Sequence, residues 1–104
     1  VGNDVIDGGE GNDYIVDHSG SDILRGGAGN DYIWSSRGTT GSETLRIEGG
    51  IGNDTVELSS QGATSTAVDM GDGDDRILFS TFGPGSIRIT LGTGSDIVEL
   101  RSLS

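Results

Sequence analysis

Aspartates that follow glycine-rich bends are the residues of this chain with the clearest potential for chemistry. The triplet GND occurs four times, at residues 2–4, 11–13, 29–31 and 52–54. Three triplets lie inside longer copies of one nonapeptide, GGEGNDYIV, GGAGNDYIW and GGIGNDTVE, at 8–16, 26–34 and 49–57. Carboxylate oxygens are hard ligands for cations, but Asp, Asn and Gly also favour turns without any ligand. The spacing therefore indicates either a repeated cation site or a repeated turn.

A fixed short period is typical of a solenoid, in which each repeat stacks on its neighbours. Aligning the bends on the aspartate position gives ten occupants: Asp4, Asp13, Asp22, Asp31, Glu43, Asp54, Thr66, Asp75, Ile87 and Asp96. Two residues after each of them comes an aliphatic residue: Ile6, Ile15, Leu24, Ile33, Leu45, Val56, Val68, Ile77, Ile89 or Val98. The unbroken aliphatic column supports this alignment and predicts one buried residue in every short strand.

Two bends and two strands make one coil, so alternate bends lie on the same edge. One edge is acidic at every step: Asp13, Asp31, Asp54, Asp75 and Asp96. The other edge carries Asp4, Asp22, Glu43, Thr66 and Ile87, and it loses its carboxylates towards the C-terminus. The pattern predicts an all-β solenoid of about five coils with two parallel sheets and no helix.

The chain is expected to form a single domain over 1–104, with regular nonapeptides in 1–34 and longer, degenerate coils in 35–104. Four residues after the aspartate position, the early repeats have Gly8, Asp17, Gly26 and Ser35, whereas later ones have Ile47, Leu58, Met70, Phe79, Leu91 and Leu100. We expect ion binding to stabilise the early coils and apolar burial to stabilise the later ones. Because Val1 opens the chain in mid-repeat, we expect the chain to be a segment of a larger protein.

Composition excludes several functions. The net charge of −11 disfavours nucleic acid and anionic membranes as partners, and no apolar run is long enough to insert into a membrane. The chain has no cysteine or lysine, so it has no thiolate or Schiff-base nucleophile. His18, the only histidine, has no nucleophile partner that the sequence identifies. We therefore expect no enzyme active site in this segment.

The pattern GGxGxDxUx resembles the repeats-in-toxin (RTX) family of calcium-binding repeats, which form a right-handed parallel β-roll. The resemblance is strict for residues 2–34 and looser to Asp96. It implies that each Ca²⁺ lies between two stacked bends, bound by aspartates and backbone carbonyls of both. Glycines with positive φ allow those carbonyls to turn inward. The resemblance implies up to four ions on the acidic edge and two on the other, about six in all.

The implied metal-site residues include every acidic residue of the aspartate column: Asp4, Asp13, Asp22, Asp31, Glu43, Asp54, Asp75 and Asp96. They also include the bend glycines of the acidic edge: Gly9, Gly11, Gly27, Gly29, Gly50, Gly52, Gly71, Gly73, Gly92 and Gly94. On the other edge, the departures from the pattern at Thr66 and Ile87 argue against calcium beyond Glu43.

The resemblance implies a structural module that folds on binding calcium outside the cell. Proteins of this kind are exported by type I secretion from bacteria and include toxins, so the expected location is extracellular or the cell surface. The expected partners are calcium ions and the rest of the parent polypeptide.

An alternative is an accessory domain that binds polysaccharide or another partner. Tyr14, Val16, Tyr32 and Trp34 are expected side by side on one outer face, where aromatic rings could stack on a sugar, dock a neighbouring domain or simply pack across strands. Arg25 and Arg46 are expected in one row of the opposite face, either as an anion site or as a surface salt ladder.

Overall fold

The computed structural model describes residues 4–18, 21–36, 44–59, 65–79 and 87–100, which form ten strands without a helix. The strands are β1 (Val5–Asp7), β2 (Tyr14–Asp17), β3 (Asp22–Arg25), β4 (Tyr32–Ser36), β5 (Thr44–Glu48), β6 (Thr55–Ser59), β7 (Ser65–Asp69), β8 (Arg76–Phe79), β9 (Ile87–Thr90) and β10 (Ile97–Leu100). Odd-numbered strands form one five-stranded sheet and even-numbered strands form the other, and every pairing is parallel. The predicted all-β solenoid with two parallel sheets is confirmed.

Alternation of apolar and polar residues places the core between the two sheets. In β2, for example, Ile15 is buried while Tyr14 and Val16 are exposed. The buried core comprises Ile15, Leu24, Ile33, Leu45, Ile47, Val56, Leu58, Val68, Met70 and Ile77. Each coil therefore contributes only a few apolar side chains, because a period of two in short strands allows no more.

The predicted register is confirmed for the even-numbered sheet. Strand pairing brings Ile15, Ile33, Val56, Ile77 and Val98 into one column. The bends that precede these strands stack in the same order, so the five aspartates of the acidic edge are neighbours from coil to coil.

The predicted register is wrong at one place in the odd-numbered sheet. Asp22 pairs with Leu45, and Leu24 pairs with Ile47, whereas the alignment had matched Asp22 with Glu43. Leu45 and Ile47 are both fully buried; since they are two residues apart, either could fill the aliphatic column without changing the face of the strand. The aspartate position of this coil is thus occupied by Leu45. Glu43 itself lies outside the described residues.

With the corrected register, every length change falls on one edge. The half-coils that end at an acidic-edge aspartate all span nine residues: 4 to 13, 22 to 31, 45 to 54, 66 to 75 and 87 to 96. The half-coils in the other direction span 9, 14, 12 and 12 residues: 13 to 22, 31 to 45, 54 to 66 and 75 to 87. We call the first edge the regular edge and the second the insertion edge.

The interior changes character along the solenoid. Backbone hydrogen bonds from Gly8, Gly26, Gly49 and Met70 to the next odd-numbered strand align five inward positions: Gly8, Gly26, Gly49, Met70 and Leu91. Gly49 therefore takes the place in this column that the alignment had given to Ile47. On the opposite sheet, Asp17 and Ser35 are followed by the buried Leu58. The predicted transition from small or polar to apolar interior residues is present.

Candidate functional site

Five glycine-containing bends, at 8–13, 26–31, 49–54, 70–75 and 91–96, stack along the regular edge. Parallel pairing continues through them, since Ala28 N donates to Gly9 O at 3.1 Å and Ile51 N to Gly27 O at 3.2 Å. All ten of the bend glycines proposed from the sequence have positive φ: Gly9, Gly11, Gly27, Gly29, Gly50, Gly52, Gly71, Gly73, Gly92 and Gly94. At Gly27 a Cβ would also collide with the carbonyl oxygen of Gly9. Glycine is therefore required for both the conformation and the close stacking.

The aspartates of the regular edge form a ladder of hydrogen bonds between coils. The Oδ1 atom of Asp31 accepts from the backbone N–H of Asp13 at 2.9 Å, and the Oδ1 of Asp54 accepts from Asp31 N–H at 2.9 Å. The pattern continues from Asp54 N–H to Asp75 at 2.8 Å and from Asp75 N–H to Asp96 at 2.9 Å. The structure thus brings together all five aspartates that the sequence placed on this edge.

The second carboxylate oxygen is what distinguishes a binding site from a turn. Oδ2 is buried and has no hydrogen-bond partner in Asp13, Asp31, Asp54 and Asp75. A buried polar atom without a partner is unfavourable, and a buried charge is more so. A turn requires only the Oδ1 bond, so these four atoms have a reason to be buried only if a cation or a proton joins them.

Burial changes the acidity of two of these groups. Loss of solvent, together with the charges of Asp31 and Asp75, raises the pKa of Asp54 from 3.8 to about 7 despite the opposing backbone hydrogen bond. Burial likewise raises the pKa of Asp75 from 3.8 to about 6, with the charges of Asp96 and Asp74 adding to the effect. A bound cation would favour the ionised form of both carboxylates.

The donor set fits calcium better than a transition metal. Among the described residues, no three His, Cys, Asp or Glu side chains converge on one point. Each bend offers the carboxylate of its ladder aspartate and the backbone carbonyls of a glycine-rich turn, and the other bend carboxylates, Glu10, Asp72 and Asp74, are exposed. Ca²⁺ accepts such all-oxygen sets with flexible geometry, whereas zinc and copper favour nitrogen or sulfur.

An asparagine ladder was not identified from the sequence as functional. Asn12 Oδ1 accepts from Asn30 N–H at 2.8 Å, and Asn30 Oδ1 accepts from Asn53 N–H at 2.8 Å. Asn53 Oδ1 in turn accepts from Asp74 N–H at 2.8 Å, and Asp74 Oδ1 accepts from Ser95 N–H at 2.8 Å. The asparagine shared by the GND triplets is the sequence feature from which this ladder could have been predicted. The ladder holds adjacent bends in register beside the aspartates.

The insertion edge holds a shorter acidic site. Asp22 is 1% exposed, and its Oδ1 accepts from Asp4 N–H at 2.7 Å. The next three aspartate positions are occupied by Leu45, Thr66 and Ile87. Carboxylates at this position therefore end at Asp22 among the described residues, one coil earlier than the sequence alignment had placed their end.

The aromatic residues of the even-numbered sheet are neighbours on its outer face, as predicted. Tyr14, which is 71% exposed, pairs with Tyr32, and their ring centroids are 5.1 Å apart. The Tyr32 hydroxyl donates to Glu57 at 2.7 Å, which, together with burial, raises the pKa of Tyr32 to about 12. The rings of His18 and Trp34 are nearly perpendicular, with their centroids 5.6 Å apart.

The arginines of the opposite outer face do not form the predicted row. Arg25 pairs with Glu48, and Arg46 stands in the neighbouring row, a result of the two-residue register correction. Both guanidinium groups contact Glu48, at 3.1 and 3.2 Å. These half-exposed ion pairs make the salt-ladder interpretation sufficient, with a small contribution to stability.

Comparisons with known proteins agree with the repeat geometry. A family model described as the RTX calcium-binding nonapeptide repeat (4 copies) matches residues 1–16, 9–40 and 37–58, more than half of the 104-residue chain. No curated protein and no solved structure matches the chain. In the part of the chain that the structure describes, no helix is long and apolar enough to cross a membrane.

Proposed function

The chain belongs to the family of RTX calcium-binding nonapeptide repeats, and we propose that it is a structural module whose folding depends on calcium bound along the regular edge. The observation that carries this proposal is the set of buried, partnerless Oδ2 atoms of Asp13, Asp31, Asp54 and Asp75. They need a cation or a proton, since no hydrogen-bond donor among the described residues reaches them. The family's calcium-binding role gives the cation a chemical identity.

The residues that would hold the ions are the five regular-edge aspartates with the carbonyl groups of their glycine bends, which gives at most four places between successive bends. Asp4 and Asp22 would hold one more on the insertion edge. Bound Ca²⁺ would neutralise the stacked carboxylates, which otherwise repel one another from coil to coil. At about ten times its Kd, each ion would contribute roughly 1.4 kcal/mol to the free energy of unfolding.

Folding that depends on calcium would suit a location outside the cell. Extracellular calcium modules commonly bind with Kd of about 10⁻⁴–10⁻³ M, so such a chain would stay unfolded at low calcium and fold after export. We propose on this basis that the module belongs to a secreted bacterial protein and supports the rest of a larger polypeptide. The module itself is structural rather than catalytic.

Far-UV circular dichroism of the chain in EDTA and in millimolar calcium tests the proposal. We expect β-sheet signal in calcium, its loss in EDTA, and its return when calcium is restored. Magnesium at the same concentration is the control, because its strict octahedral geometry suits these bends poorly. An equally folded chain in EDTA would show that the aspartates only form turns.

A second candidate function uses the exposed aromatic face. Tyr14 is 71% exposed beside Tyr32, and such a ring pair could stack on a sugar. Isothermal titration with a panel of oligosaccharides would test it, comparing Tyr14→Ala with Ile51→Ala, which removes a side chain that is 66% exposed at a bend. Binding that is lost only in the Tyr14 variant supports this function; no binding by the unchanged chain excludes it for that panel.

A further inference from the structure

The first residue of each bend on the regular edge occupies an inward-facing position, next to the aspartate of the same bend. At Gly26, the place that a Cβ would occupy lies 2.5 Å from Asp31 Oδ2 and 2.8 Å from the carbonyl oxygen of Gly49 in the next coil. Gly49 has the same surroundings, with Asp54 Oδ2 at 2.8 Å and Met70 O at 2.7 Å. We call this place the cradle. Its walls are a carboxylate oxygen of one bend and a carbonyl oxygen of the next.

The cradle oxygens are available to a ligand. Asp31 and Asp54 are 3% and 1% exposed, and the Oδ2 atom of each is buried without a hydrogen-bond partner. The same atom of Asp13 lies 2.5 Å from the cradle point of Gly8, with Gly26 O at 2.9 Å. In these three bends the residue at this position is glycine, so no side chain covers the carboxylate oxygen from this position.

The fourth bend differs at this one position. Met70 is fully buried and belongs to the apolar core, so a methionine side chain begins where the other bends leave the cradle open. Asp75, the aspartate of this bend, is 2% exposed and has a buried, partnerless Oδ2 as well. The fifth bend begins with Leu91, which also packs against the core. Acidic residues therefore continue along the edge after the open cradles have ended.

We propose that Met70 ends the calcium ladder, so that the regular edge holds three ions, each bound by the oxygens that surround the cradle of Gly8, Gly26 or Gly49. The inference rests on the proposed function and lowers the largest number of calcium ions on the regular edge from four to three. The bend from 70 to 75 is stabilised instead by apolar packing of the residue that closes its cradle. One side chain thus divides an ion-dependent half of the module from a half held by hydrophobic burial.

Counting bound calcium by native mass spectrometry tests this assignment directly. Met70→Gly opens the fourth cradle and should bind one more ion than the unchanged chain. Gly49→Met closes the third cradle and should bind one fewer. Ala67→Met is the matched control: it adds the same side chain at an exposed position of β7, away from the bends, so the ion count should not change.

The outcomes separate the two proposals. An unchanged chain that binds no calcium overturns the proposed function and this inference together. An unchanged chain that binds calcium, with the same count in Gly49→Met, overturns only the cradle assignment. Circular dichroism in calcium checks that Met70→Gly folds; if it folds without gaining an ion, Met70 is not the residue that ends the ladder. If it does not fold, the loss of one ion in Gly49→Met, against an unchanged count in Ala67→Met, supports the assignment.

Discussion

Replacing Asp54 by asparagine should stabilise the folded chain in the absence of calcium and destabilise it in the presence of calcium. The Oδ1 of Asp54 accepts from Asp31 N–H at 2.9 Å, a bond that an asparagine Oδ1 can keep. What the variant removes is the charge of a side chain that is 1% exposed. Without calcium that charge opposes folding, whereas with calcium it binds the ion.

The magnitude follows from the acidity of the group. Burial, in the main, raises the pKa of Asp54 from 3.8 to about 7, a shift of roughly three units or about 4 kcal/mol against ionisation in the folded chain. An asparagine amide must also lose water, at about 2 kcal/mol. In EDTA at pH 8 we therefore expect Asp54→Asn to stabilise the folded chain by about 2 kcal/mol. In calcium at a hundred times Kd it should instead destabilise the folded chain by about 1 kcal/mol, because losing one ion removes about 2.7 kcal/mol while removal of the buried charge returns only about 2 kcal/mol.

The assay must detect folding where the unchanged chain is mostly unfolded. Titration with trimethylamine N-oxide in EDTA, followed by circular dichroism, gives a folding midpoint because this osmolyte favours the compact state. Asp54→Asn should fold at a lower osmolyte concentration than the unchanged chain, and urea unfolding in calcium should show the reverse order.

Asp69→Asn is the control for net charge, since Asp69 is exposed on β7. It should move either midpoint only slightly. Equal effects of the two variants in EDTA would refute the argument from burial, and so would destabilisation by Asp54→Asn in both solutions.

Three further predictions concern pH, the core and the bends. Since burial raises the pKa values of Asp54 and Asp75 from 3.8 to about 7 and about 6, the folded chain binds more protons than the unfolded chain at intermediate pH. The stabilisation that comes from these protons is complete below about pH 4 and is lost as pH rises through 6 and 7. Circular dichroism in EDTA should therefore show a larger folded fraction at pH 5 than at pH 8. An equal folded fraction at the two pH values would contradict this prediction. Leu24→Ala, at a fully buried position, should lower the free energy of unfolding in calcium by about 2–5 kcal/mol in urea titration; a loss below 1 kcal/mol would mean that the core is not closely packed there. Gly29→Ala combines a φ of +116° with a Cβ that collides with the preceding bend, whereas Gly11→Ala has a φ of +102° and a Cβ in open space. Gly29→Ala should therefore lower the thermal unfolding midpoint in calcium more than Gly11→Ala does. Equal effects would show that close stacking of the bends is not the reason for glycine at residue 29.

The sequence was sufficient to predict the solenoid because its repeats carry their own alignment. Glycine spacing determined the regular bends, and the aliphatic residue two positions after each aspartate determined the inner face of the even-numbered strands. Both signals are local, and they are repeated often enough to correct one another. The conformation of the ten bend glycines could be predicted for the same reason, since their place in the repeat requires positive φ.

The register error at Asp22 shows where local signals are insufficient. Glu43, Leu45 and Ile47 are spaced two residues apart, so the predicted and the observed register both keep apolar residues on the inner face. The predicted register also places an acidic residue, Glu43, at the bend, which made it the more plausible of the two from the sequence. Only the pairing of β3 with β5, a long-range contact, decides between the alternatives. The partnerless Oδ2 atoms were equally unpredictable, because burial of one carboxylate oxygen depends on the coil stacked above it.

The constant nine-residue spacing of the regular edge has a consequence for how such a chain can be altered. A solenoid tolerates added residues only where they leave the stacking of its coils unchanged, and here one edge keeps a fixed length while the other has already accepted 14- and 12-residue half-coils. Lengthening a surface connection adds little closure entropy. The insertion edge is therefore a grafting surface, where foreign peptides could be displayed at intervals of one strand spacing without disturbing the stacked bends of the regular edge.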